Sequence, residues 1–235
     1  MAKVSIFTPS FNKKRWVLEG IKSIIDQSFK DFDYLLVDNS TDLATRLSVK
    51  EMCATDKRLA YLERDFTAEE RKKNFIGSIL VNEYLPTLTG DYILYKSDDD
   101  LLDPSCLETC VAYLDAHPDA YVVWFSMKDT EEQEDGTFLY LGGIKANKRV
   151  GLNTRYPEVV YKLDGGQIIY RRECLEKVIQ PFYPSGWLRA SRADGLFMNQ
   201  LAKFYTFYPI TKDLLEHRRT QLSSFTGVGV KLRVG

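Results

Sequence analysis

Apolar and polar positions alternate in blocks along the first hundred residues. A short apolar run from Lys3 to Thr8 precedes a segment, Trp16 to Ser28, in which Val17, Ile21, Ile24 and Ile25 recur at helical spacing. The first block predicts a buried strand and the second an amphipathic helix packed on it. Phe32 to Val37 and Leu59 to Leu62 repeat the strand pattern. Lys73 to Leu88 repeats the helical one, and Asp91 to Lys96, after Gly90, gives a fourth strand. Strands alternating with helices predict an α/β fold: a mainly parallel, Rossmann-like twisted sheet with helices on both faces.

Beyond residue 103 the pattern becomes mixed. A helix is expected from Pro104 to Ala116, then strands Ala120 to Met127 and Thr137 to Leu141 around an acidic stretch, Asp129 to Asp135, read as a solvated hairpin tip. A basic loop (Lys145, Lys148, Arg149, Arg155) leads to a strand, Gln167 to Tyr170, and a helix, Glu173 to Ile179. A Pro/Gly-rich loop, Pro181 to Gly186, precedes a helix near Ala193 to Phe204. No linker, repeat or low-complexity segment separates the halves, so 1–235 reads as a single domain with a sheet-building half, 1–103, and a smaller mixed half, 104–235.

Three predicted strands end in polar clusters: Thr8 to Asn12, Asp38 to Asp42 and Ser97 to Asp100. In open α/β sheets ligands bind outside the carboxyl ends of the strands, so these clusters are expected to converge on one site. Asp98, Asp99 and Asp100 carry the sharpest signal. Adjacent carboxylates about 5 Å apart repel by roughly 3 kcal/mol at an effective dielectric near 20, and in sequence only Lys96 stands beside them. A hard divalent cation removes that repulsion; Mg²⁺ or Mn²⁺ would keep positions open for phosphate oxygens. The competing reading is an acidic turn before a helix.

Composition narrows the classes. Hydrophobic residues make up 44% and charged residues 28%, ordinary for a globular chain. A net charge of −1 argues against broad attraction to nucleic acid or anionic membranes. The N-terminal apolar stretch is too short for a signal peptide and no window has 18 apolar residues, so a cytoplasmic protein is expected. Cys53, Cys106, Cys110 and Cys174 lack CxxC spacing and read as structural thiols. Phosphate-binding GxxxxGK[ST], strand-linked GxGxxG and GxSxG signatures are absent, and His117 and His217 are the only histidines.

Four segments in order resemble glycosyltransferase family two: Thr8-Pro9-Ser10-Phe11-Asn12, Ser23 to Phe29, Leu36 to Asp42, and Gly90-Asp91-Tyr92-Ile93 before the aspartates. The resemblance implies a GT-A type fold and inverting sugar transfer from a nucleotide-diphospho-sugar, most simply a UDP-sugar. It further implies that Thr8, Pro9, Phe11, Asn12 and Asp38 bracket the nucleoside, that Asp98 and Asp99 hold the ribose and donor, and that Asp99 and Asp100 bind Mn²⁺ or Mg²⁺. Ser97 stands where the family commonly has aspartate, which leaves open which of the three touches metal. Gly77 and Asn82 resemble the donor-binding helix. Val81 replaces an arginine often found there, and Arg71, Lys72 or Lys73 is a candidate substitute, against a solvated helix end.

Gly165 to Arg172 resembles the family's acceptor-side strand, and Arg192-Ala193-Asp194-Gly195 its acid-bearing helix start. Asp194 is the candidate general base, because inversion needs a carboxylate near the attacking hydroxyl; helix capping is its competing role. His217 resembles a late histidine that reaches metal or diphosphate, with Arg218 as competitor for that register. The acceptor stays open among glycans, lipid-linked sugars, proteins and modified bases; Tyr156, Tyr161, Tyr183, Trp187 and Arg189 are candidates to stack on it. A nucleotidyltransferase and a sugar-nucleotide-binding module without turnover are the rival functions.

Overall fold

The computed structural model describes residues 1–154, 162–183, 186 and 193–222. Arg155, Tyr156, Tyr161, Trp187, Arg189 and Arg192 lie outside the described residues. The strands are β1 Val4–Ser10, β2 Phe32–Asp38, β3 Leu59–Glu63, β4 Tyr92–Tyr95, β5 Leu101–Leu102, β6 Val122–Glu132, β7 Phe138–Gly142, β8 Val150–Gly151, β9 Ile168–Arg171 and β10 Thr206–Arg219. They form one sheet in the order β3-β2-β1-β4-β9-β6-β10-β5, with β7 on β6 and β8 on β10. β1, β2, β3 and β4 pair in parallel, as do β6 and β10, while β9 runs antiparallel between β4 and β6.

Side-chain alternation along these strands loads both faces of the sheet. Val4, Ile6, Tyr34, Leu36, Tyr92, Leu94, Val123 and Phe125 join one core with α1 (Lys14–Ile25), α2 (Leu43–Ala54) and α5 (Cys106–Ala116). Phe7, Val37, Ile93, Val122 and Trp124 join the other with α4 (Ile76–Tyr84) and α6 (Ala193–Leu201). All four cysteines are buried and unpaired.

Several elements differ from the sequence expectation. The helix expected from Lys73 to Leu88 is two helices, α3 (Ala68–Lys73) and α4, broken where Asn74 takes an extended conformation. α3 starts at a Thr67–Glu70 capping box, in which the Thr67 hydroxyl accepts from the Glu70 N–H while the Glu70 carboxylate accepts from the Thr67 N–H. Glu173 to Ile179 is not an α-helix; a 3₁₀ segment, Arg172–Lys177, stands there. The acidic stretch is only partly a hairpin tip: β6 continues through Glu132, and Asp129 and Glu132 are tied to His217, Arg219 and Arg15. The basic loop is used structurally, with Lys145 on Asp213 and Arg149 over the Tyr208 ring. α2 and β10 have no counterpart among the sequence-predicted elements.

α1 lies hard against the loop after β4. A Cβ added at Gly20 would stand 2.6 Å from the Asp98 carbonyl and 3.0 Å from Lys96 Nζ, so only glycine permits this approach. Gly20→Ala is expected to destabilise the protein by about 1–3 kcal/mol through overpacking, read as a lower midpoint in urea denaturation. An unchanged midpoint would show that the helix can shift freely.

Candidate functional site

The polar ends of β1, β2 and β4 do converge. Ser10 pairs with Asp38 and Phe7 with Tyr95 in the parallel ladder, so the three clusters meet at one edge of the sheet. Beside them opens a cleft of about 540 Å³ lined by Pro9, Phe11, Lys13, Asn39, Arg71, Gly77, Val81, Asp98, Asp99, Asp164, Tyr183, Asp194, His217 and Arg218, among others.

The aspartates are neutralised by side chains distant in sequence. Lys13 Nζ donates to Asp98 Oδ1 at 2.9 Å and to Asp99 Oδ2 at 2.8 Å, all three side chains being almost fully buried. Burial alone would lower the ammonium pKa, but the two carboxylates outweigh it and raise it. Asp98 Oδ2 accepts the Phe11 N–H at 3.1 Å, Asp99 Oδ2 the Thr220 hydroxyl at 3.1 Å, and Asp100 Oδ1 the Arg218 N–H at 3.0 Å. Asp100 Oδ2 is buried without a hydrogen-bond partner among the described residues. Lys96 is wholly buried, its Nζ on the Ser97 carbonyl, and burial holds its pKa down at about 8 against the pull of Asp100, Asp98 and Asp99. Burial pushes the Asp100 carboxyl up to about 6.

On the β1–β2 side, Pro9 and Phe11 line the cleft, whereas Thr8, Asn12 and Asp38 do not. Thr8 is wholly buried in the ladder. Asn12, at φ 52, organises the loop after β2: its Oδ1 accepts from the Thr41 and Asp42 N–H groups at 2.9 and 3.1 Å. The Asp38 carboxylate is wholly buried and accepts from the Ser40 N–H and the Tyr61 hydroxyl, and its neighbour Asn39 takes the wall position. Arg71 grips Asn39 with two bonds of 2.7 Å and lies 4.7 Å above the Phe11 ring. Of the three basic candidates only Arg71 lines the cleft; Lys73 pairs with Glu69 in solvent. Asn82 is absent from the lining and bonds to the Tyr183 backbone instead.

Across the cleft, Asp194 sits in the first turn of α6, where the Tyr183 phenol and the Gly165 N–H favour its ionised form. Burial, reinforced by Asp164, pushes its carboxyl up to about 7 against those donors. Asp164 accepts the Gly166 N–H at 2.8 Å, and burial with the Asp100 charge pushes it up to about 6. His217 faces these acids: burial would lower its pKa, but Asp100, Asp164 and Asp129 raise it to about 9. Its Nδ1 is held by Asp129 at 2.9 Å. Arg218 also borders the cleft, but its guanidinium is engaged by Glu19 and Glu216.

The Glycosyl transferase family 2 model matches residues 5–179. The chain belongs to that family. Protein CgeD of Bacillus subtilis is 24% identical over 215 residues, covering 90% of this chain and 49% of CgeD, so the chain spans about half the length of that relative. Among solved structures, S. aureus TarS 1-349 in complex with UDP-GlcNAc superposes with a TM-score of 0.69 at 18% identity, over 96% of this chain and 61% of that one. Mannosyltransferase PcManGT from Pyrobaculum calidifontis, in complex with GDP-Man and Mn²⁺, superposes at 0.61 and 17% identity over 92% of this chain and 56% of that one. The chain therefore has the GT-A architecture: a curled, mostly parallel sheet flanked by helices.

Among the described residues, no three His, Cys, Asp or Glu side chains gather into a ready-made metal cage. A cation shared with a diphosphate needs only one or two protein carboxylates, and on those terms the donor set fits. Asp99 lies on the wall, Asp100 keeps an unpartnered oxygen, and the His217 imidazole is anchored by a carboxylate, as metal-ligating histidines usually are. Lys13 would have to release Asp99, and His217 its proton.

Sequence reasoning missed Lys13 and Asp164. Lys13 is adjacent to the quoted Thr8-to-Asn12 segment and Asp164 to the quoted Gly165-to-Arg172 segment, but nothing in a linear pattern says that Lys13 crosses 85 positions to Asp98. Lys13→Met leaves two buried carboxylates uncompensated, and a loss of about 3–5 kcal/mol in urea denaturation at pH 7 is expected. Adding Asp98→Asn to Lys13→Met should return part of that loss; additive losses would show that the pair is not coupled.

Proposed function

We propose that this glycosyltransferase is metal-dependent and inverting, moving a hexosyl or pentosyl unit from a nucleotide-diphospho-sugar, with a UDP-sugar as first choice, to an acceptor hydroxyl. The observation that carries the reading is the polarity of the cleft. One wall holds charge-compensated aspartates with Lys13 and Arg71, and the opposite wall holds a carboxylate, Asp194, whose pKa of about 7 suits proton removal at neutral pH. The complexes of TarS with UDP-GlcNAc and of PcManGT with GDP-Man and Mn²⁺ support the donor class and the metal.

In this reading Phe11, Asn39 and Arg71 flank the nucleoside and the Asp98 carboxylate takes the ribose hydroxyls. Asn12 and Asp38 act from behind by fixing the loops that present the wall. Asp99, with Asp100 and His217 as further candidate ligands, would hold a divalent cation, which would supply Lewis-acid charge at the diphosphate. Lys13, which lines the same cleft, would share that task once released from the carboxylates. Asp194 takes the proton from the acceptor hydroxyl as it attacks the anomeric carbon from the face opposite the leaving group. Water exclusion and positioning do the rest, because the donor already carries a good leaving group.

Asp194→Asn is expected to keep donor binding by calorimetry while cutting transfer by about 10²–10⁴-fold; near-normal turnover would remove Asp194 from the base role. The same variant should be more stable than the parent at pH 8. The folded-state pKa of about 7 lies above the ordinary 3.8, so the folded protein holds the extra proton between those values; stability then falls as pH rises through that window, and the penalty is complete above 7. Chelation with EDTA should stop release of nucleoside diphosphate and Mn²⁺ should restore it; undiminished release after chelation would overturn the metal dependence. A product of retained anomeric configuration would overturn the inverting mechanism.

A further inference from the structure

Lys13 holds the place between Asp98 and Asp99 from which a single cation neutralises both. Its Nζ lies 2.9 Å from Asp98 Oδ1 and 2.8 Å from Asp99 Oδ2, and all three side chains are less than a tenth exposed. The other Asp98 oxygen accepts the Phe11 N–H at 3.1 Å, and Asp99 Oδ2 also accepts the Thr220 hydroxyl at 3.1 Å. The ammonium is thus bonded directly to the group that a divalent cation would use.

The backbone beneath that ammonium is anchored, whereas its stem is not. Lys13 stands just ahead of α1, and its carbonyl accepts the Val17 N–H at 2.9 Å. Asn12, one position earlier, donates its N–H to Ser40 Oγ at 2.8 Å and accepts from the Thr41 and Asp42 N–H groups. From this fixed base a flexible aliphatic stem carries the charge to the aspartates. Because Lys13 lines the cleft, rotation of the stem alone can carry the charge off Asp99 into it. Lys96 has no such route: it is wholly buried, it is absent from the cleft wall, and its Nζ lies 3.0 Å from where a Gly20 Cβ would stand. Of these two ammoniums, one is exchangeable and the other fixed.

We propose that Lys13 is a built-in counter-ion that bars a divalent cation from Asp99 until a nucleoside diphosphate draws the ammonium away, so that nucleotide and cation enter together. This rests on the metal-dependent reading of the cleft and adds what controls its metal. A dication brought to Asp99 stands beside the Lys13 charge, and like charges at that range in a buried site repel strongly. A diphosphate changes both sides of the balance. Its oxygens offer the ammonium charged acceptors in the cleft, and they supply the ligands that a hard cation needs beyond one or two protein carboxylates. Each ligand must then tighten the other, since coupling between two binding sites is reciprocal.

The test is direct binding of Mn²⁺ to the full chain, read from loss of the free-ion electron paramagnetic resonance signal. It is run without nucleotide and with UDP or GDP, corrected for the Mn²⁺ that each nucleotide binds alone. The parent is expected to bind Mn²⁺ weakly by itself and about tenfold or more tightly with one of the nucleotides. Lys13→Gln keeps a polar side chain and removes the charge. Without nucleotide it should bind Mn²⁺ about ten- to a hundredfold more tightly than the parent, and the nucleotide should then add less. Lys14→Gln removes the same charge from the exposed neighbouring position and should leave the affinity within about twofold of the parent. A Lys13→Gln affinity no tighter than the parent's overturns the proposal, as does an equal gain in Lys14→Gln, which would assign the effect to net charge. If Lys13→Gln does not fold, the parent decides, and equal Mn²⁺ affinity with and without nucleotide overturns the barrier. Failure of the metal reading looks different: neither the parent with nucleotide nor any variant would then bind Mn²⁺.

Discussion

Three consecutive carboxylates buried at the end of β4 impose the condition that the rest of the site must meet. Each is matched by groups that other parts of the chain deliver: Lys13 and the Phe11 N–H from the turn after β1, and Thr220 and the Arg218 N–H from the end of β10. Two segments separated by some two hundred residues are thereby pinned to one loop. The charge balance is local, so a single cation lost from it leaves anionic charge with no solvent to screen it. Gly20 adds the steric half of the same condition, since the α1 backbone must approach the Asp98 carbonyl closely enough for Lys13 to reach both carboxylates.

The carboxylates around the cleft fall into two groups that differ by environment rather than by chemistry. Asp98 and Asp99 share an ammonium, although burial still raises the Asp98 carboxyl; Asp164 and Asp194 are compensated mainly by backbone N–H groups, a phenol and a histidine at some remove, and burial raises both. One end of the sheet thus holds ammonium-paired carboxylates beside an acid whose proton is exchangeable near neutrality. His217, raised to about 9 by its acidic neighbours, bridges the two groups electrostatically.

The first half was largely readable from pattern, because β1, β2 and β4 are largely buried and announce themselves as short, mainly apolar runs. α2 was hidden: its buried positions are Thr45, Val49 and Cys53, while Leu43 and Leu47 point to solvent, so its apolar residues mark the wrong face. β10 was hidden by its bulges between Ile210, Asp213 and Leu215, which break the period of two that a strand would show. The start of α3 carried a signal, the Thr67–Glu70 capping box, that the longer apolar rhythm masked. At the site, family-like motifs located the strand ends but not the division of labour. Asn12 shares a motif with Phe11, and Asp38 shares one with Asn39, yet Phe11 and Asn39 reach the cleft wall while Asn12 and Asp38 do not, because burial and local hydrogen bonding rather than motif membership decide which side chain lines the cleft.

β9 has a consequence for how such an enzyme can change. This antiparallel strand is inserted between β4 and β6, so the first and second halves of the chain are hydrogen-bonded into one continuous sheet. A two-lobed enzyme can clamp its substrates by rotating one lobe on a hinge; a shared sheet transmits no such rotation without breaking its ladder. The separation between the aspartate loop and Asp194 is then set when the sheet forms. New acceptors would be accommodated by exchanging the loops that overhang the strand ends, while the spacing that fixes the reaction is inherited unchanged.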